Sequence, residues 1–129
     1  MTEISTPISP GELLDKLTIL QIKSQNISDA KKLANVNAER MLLQSVADKH
    51  IPPTPKLQGL TASLLDVNKQ LWAIEDDIRE CERKGDFGEA FIRLARAIYI
   101  TNDQRADLKK QINLATGSKL VEEKSYAEY

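Results

Sequence analysis

Arg105 has the residue type and the setting most suggestive of chemistry, because it interrupts an otherwise apolar seam. The seam reads Phe87, Phe91, Leu94, Ile98, Thr101, Arg105, Leu108, Ile112, Ala115. Its steps of three and four residues put every member on one face of a helix. A guanidinium on that face stays charged and must be satisfied. Asn102 lies one turn before it and Lys109 one turn after it, and Asn68 sits one step off the facing seam. Arg40 is a second arginine at an inward-facing position and could add a second charge. Together they describe a site for an anionic ligand (a carboxylate, phosphate or sugar phosphate), with the cations gripping it and the amides orienting it. The structural reading is preferred, because polar interruptions of such seams usually set specificity rather than chemistry: Arg105 pairs with Asp15, Glu39, Asp66 or a carboxylate of a second subunit, or forms a polar layer that fixes register. On the pocket reading Arg105→Met leaves the fold intact, since methionine fits a seam; severe unfolding marks the ion pair.

A second group, Trp72, Glu75, Arg79 and Glu82, runs along the flank of the preceding helix. Glu75 falls near Arg96 across the predicted hairpin, and surface pairing explains it better than general-acid chemistry, which needs a desolvated carboxyl. Other patterns fail. Asp86-Phe87-Gly88 spells a kinase magnesium motif without the glycine-rich or catalytic loops. Glu75, Asp76 and Asp77 are consecutive and point in different directions from a helix. A di-iron bundle needs Glu-x-x-His pairs, and the one histidine, His50, ends a helix. No phosphate-cradling glycine loop or Ser/His/Asp pattern is present. No catalytic residue, metal ligand or cofactor is therefore expected.

Those side chains must be positioned by helices, and the chain is all-α in its patterning. Ser9-Pro10-Gly11-Glu12 starts a first helix that continues through Leu13, Leu17 and Leu20 to about Ser24. Ser28 or Asp29 caps a second helix reaching about His50. Residues 51–56 form a Pro-rich connection that cannot continue a helix. A third helix runs to Lys84 and stops at Gly85, and a fourth starts at Asp86-Phe87-Gly88-Glu89, with Asp86 as the capping acid and Glu89 three residues later, and stops at Gly117. The third helix carries its own seam, Leu57, Leu60, Leu64, Val67, Leu71, Ile74, Ile78, Cys81. Paired antiparallel about Asp86, the two seams match throughout, from Cys81 with Phe91 to Leu57 with Ala115. Arg105 then faces Val67. The same logic pairs Leu20 with Leu33, Leu17 with Val36 and Leu13 with Arg40. The expected fold is an antiparallel bundle of about four helices around a long coiled-coil-like hairpin, 57–81 against 91–115. Residues 1–129 form one helical domain with a tail, 118–129, that either docks on the bundle or frays.

Composition narrows the function classes. Eighteen basic and nineteen acidic residues nearly cancel, and aromatics are 5% of the chain, which disfavours nucleic acid as a partner. Cys81 is the only cysteine, so no internal disulfide and no multi-cysteine zinc site can form. No signal-like segment or apolar run of spanning length is visible, so a cytoplasmic protein without membrane contact is expected.

Three segments together resemble a family of small uncharacterised bacterial proteins, a domain of unknown function. They are the stretch from Ile8 to Leu20, the stretch Leu71-Trp72-Ala73-Ile74-Glu75-Asp76-Asp77-Ile78-Arg79 with Asn68, and Asn102-Asp103-Gln104-Arg105 followed by Glu122-Glu123-Lys124-Ser125-Tyr126. The resemblance implies a bacterial, intracellular protein and no particular activity. It marks Lys16, Glu75, Arg79, Asn102, Arg105 and the 123–126 tail as motif positions. The function expected is a non-enzymatic helical interaction or scaffold protein, a homodimer that covers its long hairpin with a second copy and offers grooves to a protein partner. The alternative is a small all-α enzyme or binder that holds an anionic ligand with its inward Arg and Lys.

Overall fold

The computed structural model describes residues 3–129 and contains four α-helices. They are α1 (Pro10–Asn26), α2 (Ala30–His50), α3 (Pro55–Lys84) and α4 (Glu89–Thr116). The fold is the expected all-α helical bundle, with no strand among the described residues.

Local chemistry sets the helix ends. Ser9 Oγ accepts from the Glu12 backbone N–H at 3.2 Å, and Asp29 and Thr54 cap α2 and α3 in the same way. Proline occupies the first helical position of α1 and α3, where no N–H is missed. Gly85 and Gly117 end α3 and α4 at φ of 68° and 67°, a left-handed conformation that costs glycine little. The fourth helix differs from expectation. Asp86 does not cap it; its Oδ1 accepts from Gly88 N–H within the turn, and α4 begins two residues later, behind Gly88 and without a side-chain cap.

The arrangement centres on α1, which packs against each of the other three helices, while α2 packs on α1 alone. Two seams of α1 make this possible. Leu13 and Leu17 form a buried cluster with Ala47 of α2, flanked by Leu43, Val46 and Ile51. Gly11, Asp15, Thr18 and Ile22, spaced four, three and four apart, form a second buried stripe; Gly11 donates to α4, and Asp15 and Thr18 accept from α3 and α4, which joins the stripe to both helices. A second core joins Leu57 and Leu64 of α3 to Ile112 of α4, with Leu60 and Leu108 beside them. Leu64 and Ile112 are fully buried, each contributing roughly 1.5–3 kcal/mol.

Pairing between α1 and α2 departs from the expected register. Arg40 does not lie opposite Leu13; it reaches Ser24 Oγ at 3.4 Å, and Leu13 meets the Leu43–Ala47 region instead. The first half of α2 is polar (Lys31, Lys32, Asn35, Asn37) and stays in water, so the more apolar second half takes the packing. The ends of the long seams are also less buried than their spacing implies: Ala115 is exposed, and Phe87 rests edge-on against Phe91 with more than half its surface in solvent.

Helix lengths then leave part of the hairpin uncovered. α1 has 17 residues and α3 has 30, so at 1.5 Å per residue the hairpin is about 20 Å longer than the helix that covers it. Between Asn68 and Thr101 no residue is buried.

Candidate functional site

The α1, α3 and α4 stripes converge on one polar junction. Asp15 lies at its centre, 1% exposed. Its Oδ1 accepts from Asn68 Nδ2 at 2.9 Å and from Arg105 Nε at 2.9 Å, and its Oδ2 accepts from Arg105 Nη2 at 2.5 Å. This is the two-pronged guanidinium–carboxylate geometry, the strongest form of such a pair. Asn68 also donates to Thr18 Oγ1 at 2.8 Å, and that hydroxyl donates to the Asp15 carbonyl at 2.7 Å. Arg105 Nη1 turns toward Asn102 Oδ1 at 3.5 Å. Among the described residues, every buried side-chain polar atom has a partner.

One turn along α4, Lys109 is clamped by two carboxylates, Glu12 of α1 at 2.7 Å and Glu122 of the tail at 2.8 Å. The next turn brings Asn113, whose Oδ1 accepts from the Gly11 N–H at 2.8 Å. This satisfies an N–H of the α1 first turn that has no intrahelical partner. It also requires close approach: a Cβ on Gly11 would lie 2.5 Å from the Lys109 carbonyl oxygen.

The electrostatics follow from the pairing. The Asp15 hydrogen bonds, against the cost of burial, push the Arg105 guanidinium still further above its ordinary range. Burial opposes the Lys109 charge, but hydrogen bonds to Glu12 and Glu122 and the field of Asp15 outweigh it, so the ammonium is held above its ordinary value. The hydrogen bond from Lys109 correspondingly holds the Glu122 carboxyl down, against a smaller effect of burial. Such a junction is poorly suited to catalysis. Both Asp15 oxygens are engaged, leaving no free base, and a doubly paired ammonium is not a nucleophilic amine.

Of the residues singled out from sequence, Arg105, Asn102, Asn68 and Lys109 come together here. Arg40 lies elsewhere, at the α1–α2 end, and Lys16 points to solvent with no ion pair among the described residues. Glu75 and Arg79 pair with each other at 3.3 Å on the exposed hairpin; Glu75 makes no bridge to Arg96. The anion that Arg105 grips is the protein's own Asp15, one of the structural partners considered from sequence. Gly11, Thr18, Asn113, Glu12 and Glu122 were missed, although the spacing of Gly11, Asp15, Thr18 and Ile22 carried the signal of a second α1 seam.

The tail continues past Glu122 along α4. Tyr129 donates to Asp103 Oδ2 at 2.5 Å and stands edge-on to Tyr99, with ring centres 5.3 Å apart. The carboxylate beside it raises the Tyr129 hydroxyl above its ordinary range. Among the described residues no three His, Cys, Asp or Glu side chains gather as metal ligands, and no helix is long and apolar enough to cross a membrane.

No curated protein and no solved structure matches the chain. Residues 4–129 match the model of a family of unknown function, DUF6165, and the chain belongs to that family.

Proposed function

We propose that the chain is a non-enzymatic helical interaction protein that pairs with a second copy through the protruding end of its α3–α4 hairpin. The observation that carries this is the absence of any buried residue between Asn68 and Thr101, in a segment that holds Leu71, Trp72, Ile74, Ile78, Phe91, Ile92, Leu94 and Ile98. Ile92 and Ile100 are 54% and 36% exposed. Together with Ala97, Arg93 and Arg96 they line an open groove of about 490 Å³ on α4.

Charge argues for self-pairing. The protruding part of α3 carries Glu75, Asp76, Asp77, Glu80 and Glu82 against Lys69, Arg79, Arg83 and Lys84. The protruding part of α4 carries Arg93 and Arg96 against Glu89. Neither Asp76, Asp77, Arg93 nor Arg96 has an ion-pair partner among the described residues. A twofold contact must be self-complementary, and laying the acidic helix of one copy on the basic helix of the other meets that requirement at both ends. Four helices would then enclose the leucines and isoleucines that one hairpin leaves wet.

Light scattering tests the pairing. The expected mass is about twice the 14.5 kDa of one chain. A mass of 14.5 kDa up to concentrations on the order of 100 μM would overturn it, since a functional self-association weaker than that is no stable dimer.

A further inference from the structure

All three tyrosines of the chain, Tyr99, Tyr126 and Tyr129, line one groove between α4 and the tail, together with Asp103, Glu128 and Ile98. The groove encloses about 690 Å³, within the range of small-ligand sites. The Tyr99 and Tyr129 rings meet at 71° and form two nearly perpendicular walls. The third ring, Tyr126, already carries a cation: Lys124 Nζ lies 5.7 Å from its centre. That is within the distance at which a ring face attracts an ammonium.

We propose that this groove is a binding site for an organic cation, an ammonium or guanidinium on an apolar body, for which Lys124 stands in. The residue types select that class. Aromatic faces attract a positive charge and tolerate the methyl or methylene groups around it, and two carboxylates against a single lysine give the groove a net negative charge. A free anion would meet Asp103 and Glu128 and be repelled. A neutral apolar molecule would gain from the rings but nothing from the carboxylates. The groove borders the Asp15 junction at Asn102 and takes Ile98 and Tyr99 from the protruding segment of α4, but it shares no residue with the α4 groove assigned to self-pairing and does not depend on that pairing.

The tail supplies two of the three rings, so the site exists only while Tyr126 and Tyr129 lie against α4. Lys124 competes with any incoming cation for the Tyr126 face, and its charge opposes binding throughout the groove.

Tetramethylammonium and arginine methyl ester are suitable probes, with tert-butanol as the neutral counterpart of the first and inorganic phosphate as the anion. Binding is read by NMR from the tyrosine ring resonances of the full chain. The two cations should shift the Tyr99, Tyr126 and Tyr129 signals saturably, with Kd on the order of 1–10 mM for such small probes. tert-Butanol and phosphate should not. Tyr99→Leu and Asp103→Asn should each weaken binding about 3–10-fold, and Lys124→Met should tighten it about 2–5-fold. Every changed side chain is exposed or at the rim, and circular dichroism confirms that each variant keeps its helices. Linear, non-saturating shifts, equal response to tert-butanol, or weakened binding in Lys124→Met would overturn the proposal.

Discussion

Asp15 accepts three hydrogen bonds inside the protein, and Arg105 supplies two of them. Removing the arginine strands a carboxylate that has almost no contact with water, whereas removing both partners leaves no uncompensated charge. Arg105→Met is therefore expected to cost roughly 2–4 kcal/mol, read as a lowered urea midpoint with an unchanged slope. The pair Asp15→Leu with Arg105→Met should recover at least half of that loss. A variant as stable as wild type would show that the ion pair contributes nothing. The arginine itself was conspicuous in the sequence because nothing else charged lies on its seam. Its partner was harder to pick out, since Asp15, Glu39 and Asp66 were all compatible with local spacing and only the path of α1 decides among them.

At the scale of elements, α1 acts as a wedge between a short helix and a long hairpin, and its two stripes differ in kind. The leucine stripe was legible as a helix face; the glycine–aspartate–threonine stripe was not, because small and polar residues do not register as core until a neighbouring helix is in place. Caps, proline starts and glycine stops were legible because they depend only on nearby residues. The register of α1 against α2 was not, because it is set by which half of α2 is apolar enough to bury. Gly11 shows how tight the fit is. Gly11→Ala puts a methyl group into the Lys109 backbone, and a loss of about 2 kcal/mol is expected despite alanine's better helix propensity. A thermal melt at or above the wild-type midpoint would contradict that close approach.

The tail is joined to α4 by charge, which gives it a definite pH dependence. The Glu122 carboxyl is held below its ordinary value of 4.5 and the Lys109 ammonium above its ordinary 10.5. The contact is thus fully present between those values. It is lost on the acid side as pH falls through the lowered Glu122 value, and on the alkaline side as pH rises through the raised Lys109 value. Protection factors against hydrogen exchange over residues 118–129, taken relative to the free-chain rate at each pH, should be highest near neutrality and fall below about pH 4.5, and Glu122→Gln should show the lower protection at neutral pH. A tail equally protected in that variant would place its attachment elsewhere, at Tyr129.

For the whole molecule, the decisive property is the mismatch between a covered base and a bare tip. The base holds both apolar clusters and the Asp15 junction; the tip holds half-exposed large apolar side chains between two oppositely charged flanks. Self-pairing at the tip implies that Ile92→Glu, in the middle of the α4 groove, yields a monomer by light scattering while leaving the base folded. A dimeric Ile92→Glu variant would move the contact to another face. The bundle and its long hairpin were legible from heptad spacing, because seams that match over eight pairs leave few other arrangements. How far α1 reaches along the hairpin was not, since it depends on contacts between residues 90 to 102 positions apart.

Those separations have a consequence for synthesis. α1 leaves the ribosome before the other three helices, yet its partners on α4 follow about 90 residues later, a wait of roughly 4–20 s at 5–20 residues per second. During that time its leucine stripe is covered by α2, the very next helix to emerge. The stripe that must remain bare is the one made of Gly11, Asp15, Thr18 and Ile22, in which Ile22 is the single large apolar side chain and the other three are small or readily solvated. The order of the helices and the polarity of the two stripes together keep a nascent chain from presenting its greasiest surface while it is incomplete.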